Sequence, residues 1–94
     1  MKTPELFTLI SVYYHQDFDT VWGTLDDYLA RSTAEDRSGL VAEIDQVLAV
    51  YPTDLEVDRY LDELGNCADM SNSPGGYRGW LEEIARRVRA HLGD

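Results

Sequence analysis

"STAEDRSGLVAEIDQVLAVY", residues 32–51, decides the fold. Leu40, Val41, Ile44, Val47, Leu48 and Tyr51 recur at intervals of three and four, which places them on one face of an α-helix. Glu43, Asp45 and Gln46 fall away from that stripe. Ser32 and Glu35 have the spacing of a capping box, in which a hydroxyl and a carboxylate each accept an orphan backbone N–H. A glycine inside a helix costs about 1 kcal/mol, so the helix is expected to begin nearer Gly39. Pro52 ends it.

The same grammar recurs on either side. In "PTDLEVDRYLDELG", residues 52–65, Thr53 and Glu56 form a second capping box. Leu55, Tyr60, Leu61 and Leu64 make its apolar stripe, and Gly65 suits the left-handed closing position. Asp58, Asp62 and Glu63 are left facing water. In "YRGWLEEIARRVRAHL", residues 77–92, Tyr77, Trp80, Leu81, Ile84, Ala85, Val88 and Leu92 align. Glu82 is spaced to meet Arg86, and Glu83 to meet Arg87. "PELFTLISVYYHQ", residues 4–16, starts with Pro4 at a first helical position and turns Leu6, Leu9, Ile10 and Tyr13 to one side. Its β-branched Thr8, Ile10 and Val12 keep a strand open as an alternative. "TLDDYLAR", residues 24–31, is expected to be capped by Thr24, with Asp26 and Asp27 at the positive end of the dipole and Leu25, Tyr28 and Leu29 inside. Residues 66–76, "NCADMSNSPGG", are turn residues without periodicity. The expected fold is all-α, a compact bundle of about five short helices forming one domain over residues 1–94.

Charge narrows the function. The chain has 18 Asp and Glu against 8 Lys and Arg, a net charge of −10, which repels nucleic-acid phosphates and anionic lipid and suits a basic partner. Residues 1–72 hold 15 of the acids and 4 of the bases, so the acidic face belongs to the first three quarters of the chain. The single cysteine, Cys67, excludes an internal disulfide. No stretch has the pattern of a signal peptide or the run of about 18 apolar residues that a membrane helix needs. The reading is a cytoplasmic protein.

Chemistry finds few footholds. His15 lies near Asp17 and Asp19, which could orient an imidazole as a base, but no nucleophile stands beside it in a recognised local pattern. Ser11, four residues before His15, makes a pairing that chance often supplies. Two His and one Cys, at 15, 67 and 91, do not have zinc spacing, and "DFDT" is too short for a calcium loop. The basic "RRVRAHL" reads as a favourable helix end. Protein binding remains: charge steers an encounter, and a few aromatics anchor it. Tyr14, Phe18, Trp22 and Tyr28 lie among Asp17, Asp19, Asp26 and Asp27, although for each single ring a place in the core is the favoured reading.

Four segments, in order, carry a resemblance. "YYHQDFD" follows an apolar helix and precedes the acidic "LDDYL"; then come "LVAEIDQVLA" and a closing "YRGWLEEIARRV". Together they resemble the immunity proteins of bacterial contact-dependent growth inhibition systems, the CdiI type, from about Tyr13 to Leu92. The turn "GNCADMSNSPGG" departs from the tighter Gly-Cys turn expected there: Asn66 intervenes, and Met70 stands where a ring would be. The resemblance implies a small helical protein without cofactor, metal or catalytic residue. It would bind and neutralise the C-terminal toxin domain of a cognate effector, as a monomer in a 1:1 complex. Such toxins are often nucleases with basic active sites, which an acidic binder fits. An acidic adaptor or nucleic-acid mimic acting on a host enzyme is the alternative. A motif shared by proteins with different toxins should be structural, so His15, Gln16, Asp17, Asp19, Trp80 and Leu81 are read as framework, with contact to the toxin as the other possibility. Candidate toxin contacts are Asp26, Asp27, Glu43, Asp45, Asp58 and Asp62.

Overall fold

Pro4 opens α1 (Pro4–Thr8), and the helix does not stop there: Leu9–Tyr13 continue it as a π-helical turn, closed by the Tyr14 N–H donating to Leu9 O at 3.0 Å. The computed structural model describes residues 2–14 and 18–92. Among them follow α2 (Val21–Arg31), α3 (Ala34–Val50), α4 (Asp54–Glu63) and α5 (Gly76–Leu92), and no strand. The all-α expectation holds, and the strand alternative for residues 4–16 does not hold for the described part of that stretch. A Cα radius of gyration of 12.1 Å matches the roughly 12 Å of a compact domain of this length.

The principal pair is α3 with α5. Each buries the stripe its sequence foretold: Leu40, Val41, Ile44 and Val47 from α3, and Tyr77, Trp80, Leu81, Ile84, Ala85 and Val88 from α5. Helix α1 packs on α3, the π-turn on α2, and α4 on α5. Met70 and Ala68 close the core from the long turn before α5.

Several boundaries differ from expectation, each for a local reason. Helix α2 begins three residues before Thr24, because Thr20 is the cap and its hydroxyl accepts from Gly23 N–H at 3.0 Å; Thr24 is buried inside the helix. The capping box of α3 is Thr33 with Asp36, not Ser32 with Glu35, and the helix runs through Gly39 from Ala34. In α4 the stripe is Val57, Tyr60, Leu61 and Leu64, a complete three-four-seven spacing, while Leu55 is 57% exposed in the first turn. Thr53 accepts from Glu56 N–H, but its hydroxyl donates to the Glu56 carboxylate, so the reciprocal half of that box is missing. Gly65 closes α4 with φ of +91° as expected. Glu83, rather than Glu82, pairs with Arg86, at 2.5 Å, and also stands 3.8 Å from Arg87.

The helix ends are tied by side chains from other helices, carboxylates at N-termini and guanidiniums at C-termini, as the dipole favours. Glu43 of α3 accepts from Leu6 N–H in α1 at 2.9 Å, where Thr3 gives no side-chain cap. Asp54 of α4 accepts from Arg78 N–H in the first turn of α5 at 2.9 Å. A Cβ on Gly76 would meet that carboxylate at 2.6 Å, so the approach needs glycine there, at φ +62°. Arg78 in turn donates to Leu48 O at 3.2 Å and to Tyr51 O, the last carbonyls of α3. Arg37 donates to Leu29 O and Ser32 O at 3.3 and 2.9 Å, closing α2.

Candidate functional site

The fold separates the candidate carboxylates into those it uses and those it leaves to solvent. Glu43 is half-buried and spent on α1; burial holds its carboxyl above the ordinary 4.5, against the two backbone N–H groups that favour the charge. Asp45 is exposed, and both its oxygens accept from Arg89 Nη2, at 2.9 and 2.7 Å, in a pair that joins α3 to α5 at the surface. Asp26, Asp27 and Asp62 are exposed and Asp58 is half-buried. Among the described residues the ion pairs are Arg86–Glu83, Arg87–Glu83 and Arg89–Asp45, so these four aspartates carry no compensating charge. They lie on two helices, α2 and α4, that pack against different neighbours, the π-turn and α5.

The framework residues are partly visible. Trp80 and Leu81 are in the core, and the Trp80 ring meets the Tyr14 ring edge-on, 5.1 Å between centroids and 80° between planes. Tyr14 also meets Phe18 edge-on at 5.4 Å and donates its hydroxyl to Val21 O at 2.5 Å, which fastens the start of α2 to the π-turn. Burial raises the Tyr14 hydroxyl far above its ordinary range, so it stays a donor at any physiological pH. His15, Gln16 and Asp17 lie outside the described residues. Asp19 is exposed, and the cap of α2 is its neighbour Thr20.

Of the four rings near the acids, Tyr14 and Tyr28 are core, while Phe18 and Trp22 are partly buried against it. The Arg87 guanidinium lies 3.9 Å from the Trp22 ring centre, so this half-covered ring already has a cation on it. Sequence reasoning missed two surface features. Val12, in the π-turn, is 59% exposed, a large apolar side chain left uncovered among the described residues. Next to it a cleft of about 450 Å³, lined by residues of the π-turn and the first turns of α2, has Asp19 and Asp27 in its wall. Among the described residues no three His, Cys, Asp or Glu side chains gather as a metal site would require.

The family model described as "CdiI immunity protein" matches residues 2–88, from α1 to the buried Val88 of α5. The chain belongs to the CdiI immunity protein family. It is therefore a toxin-neutralising immunity protein and not an enzyme. A chain in the crystal structure titled "CdiA-CT/CdiI complex from Y. kristensenii 33638" is similar to it, at 33% identity and a TM-score of 0.83 over 93% of each chain. No curated protein matches it. Membership accounts for a surface rich in uncompensated acids and poor in convergent chemistry, since neutralising a toxin requires affinity and no turnover. No helix among the described residues is long and apolar enough to cross a membrane.

Proposed function

We propose that this CdiI-family protein acts in the cytoplasm as a monomer. It binds the C-terminal toxin domain of its cognate effector in a 1:1 complex and covers a basic nuclease active site. Family membership carries the reading, and the charge distribution gives it chemical content. A net charge of −10, with Asp26, Asp27, Asp58 and Asp62 unpaired among the described residues, complements a site built to hold phosphates. A standard interface takes about 800 Å² per partner, which a surface of 5403 Å² can supply. Glu43 is left out of the contact set because the fold consumes it, and Asp45 reaches a partner only after exchanging Arg89.

The test is co-expression with the cognate toxin domain, to be sought in the gene next to this one. The expected result is a complex of one copy each, with the toxin's nucleolytic activity abolished in stoichiometric rather than catalytic proportion. Free toxin in the presence of folded protein, or capture of a host enzyme in its place, favours the adaptor reading instead.

A further inference from the structure

The cleft between the π-turn and α2 joins two carboxylates that are in no ion pair among the described residues to an exposed aliphatic side chain, Val12. Among the described residues its lining includes Val12, Tyr13 and Phe18, the carboxylates Asp19 and Asp27, and one cation, Arg31. The ion pairs among the described residues involve neither aspartate. Tyr13 is held by an edge-on contact with the buried Tyr28, 5.4 Å between centroids, so the apolar wall is preset. Val12, by contrast, offers an aliphatic surface to water that nothing in the chain covers among the described residues.

Other concavities differ in their walls: the hollow of Tyr51, Glu56, Arg59, Tyr60 and Glu63 has carboxylates but no Val, Leu or Ile, and the one that holds Glu82 sets it beside two arginines, Arg86 and Arg89. The groove beside Trp22, Met70 and Trp80 has one carboxylate, Glu83, already engaged by Arg86 and Arg87. The hollow under the exposed Phe7 is lined by Lys2 and no acid. A lining that combines apolar side chains with carboxylates is the complement of a lysine or arginine, whose apolar stem seeks cover while its cationic head seeks an acceptor. A volume of about 450 Å³ lies inside the range of roughly 300–1,000 Å³ typical of binding cavities.

We infer that this cleft receives a basic side chain of the toxin domain, its stem against Val12, Tyr13 and Phe18 and its head against Asp19 and Asp27, and that this contact sets how long the complex lasts. The inference rests on the toxin-binding reading above. It assigns different work to the two groups of acids. Asp58 and Asp62, half-buried and exposed on α4, act at a distance and govern encounter. Asp19 and Asp27, in a recess that a bound side chain would close off from water, govern release. Arg31 opposes the incoming cation and holds affinity below what the cleft could reach.

Binding kinetics of the whole protein with its purified toxin domain, at low and at physiological salt, separate these roles. Asp19→Asn with Asp27→Asn is expected to raise the dissociation rate about tenfold or more at both salt concentrations. Val12→Ser, on a side chain the fold does not bury, is expected to move dissociation in the same direction, and so guards against a folding defect in the double variant; thermal melts verify both. Arg31→Ala is expected to slow dissociation. Asp58→Asn with Asp62→Asn is expected to slow association alone, and mostly at low salt. Cleft variants that match the α4 variant, with dissociation unchanged, overturn the inference and leave the proposed function standing. Failure of the unmodified pair to associate at all overturns both.

Discussion

Glu43 shows how a residue read as surface acid becomes part of the frame. Its position off the apolar stripe of α3 was plain in the sequence; that α1 would lay an uncapped N-terminus against it was not, because the partner, Leu6, is 37 residues away. The carboxyl sits in partial burial that raises it above 4.5, so its ionisation opposes folding while its role as acceptor supports it. The sign follows: the folded state holds the proton more tightly than the unfolded chain, so Glu43's contribution is complete below 4.5 and is lost as pH rises through the raised folded value. Glu43→Gln keeps an acceptor without the charge. It is expected to leave stability at neutral pH unchanged or higher, and the difference from the natural protein should vanish in acid. Glu43→Ala strands the Leu6 N–H and is expected to cost about 1 kcal/mol. Urea melts across pH check both; a glutamine variant less stable than alanine at neutral pH would refute this account of the site.

The helices were legible where periodicity spoke and shifted where caps competed. Ser32–Glu35 and Thr33–Asp36 both satisfy the capping spacing, and nothing local ranks them. What decides is tertiary: α2 ends at Arg31, and Ser32 is taken by Arg37, whose Nε donates to Ser32 Oγ at 3.2 Å while Nη2 reaches the carbonyls of α2. Thr33 is then the first residue free to cap α3. The π-turn was illegible for another reason: an α-reading turns Tyr13 inward, but one extra residue in the turn makes Tyr14 the fully buried ring. The cleft beside Val12 inherits that illegibility, whereas the acids that line it were visible from composition and position. Thr33→Ala is expected to lower stability by about 1 kcal/mol, or about 4–8 °C in Tm for a domain this size. Glu35→Ala loses only a favourable place near the dipole, about 0.3 kcal/mol. Arg37→Ala, which frees the end of α2 and leaves carbonyls without a charged donor, should cost more than Thr33→Ala, at roughly 1.5–3 kcal/mol. Equal melting temperatures for the Thr33 and Glu35 variants would return the cap to the sequence-based assignment.

At the scale of the molecule, the placement of charge is the property most directly tied to neutralisation. The arginines of α5 all have partners within the fold: Arg78 closes α3, Arg87 covers Trp22, and Arg86 and Arg89 engage Glu83 and Asp45 at the surface. The aspartates of α2 and α4 are in none of the ion pairs among the described residues, so their charge is left to act outward. A field of this kind raises encounter rates with a basic partner and is screened over about 8 Å at physiological salt, so it acts on association far more than on dissociation. Reversing two charges at once, Asp58→Lys with Asp62→Lys, changes the net charge from −10 by four units on a helix whose stripe of Val57, Tyr60 and Leu61 is untouched. Association with the toxin domain is expected to slow by about tenfold at low salt and by much less at physiological salt, with dissociation and melting temperature nearly unchanged. A plot of association rate against ionic strength should accordingly flatten for the variant. If its slope equals that of the natural protein, the α4 face contributes nothing to the encounter, and the attraction must reside on the α2 side alone.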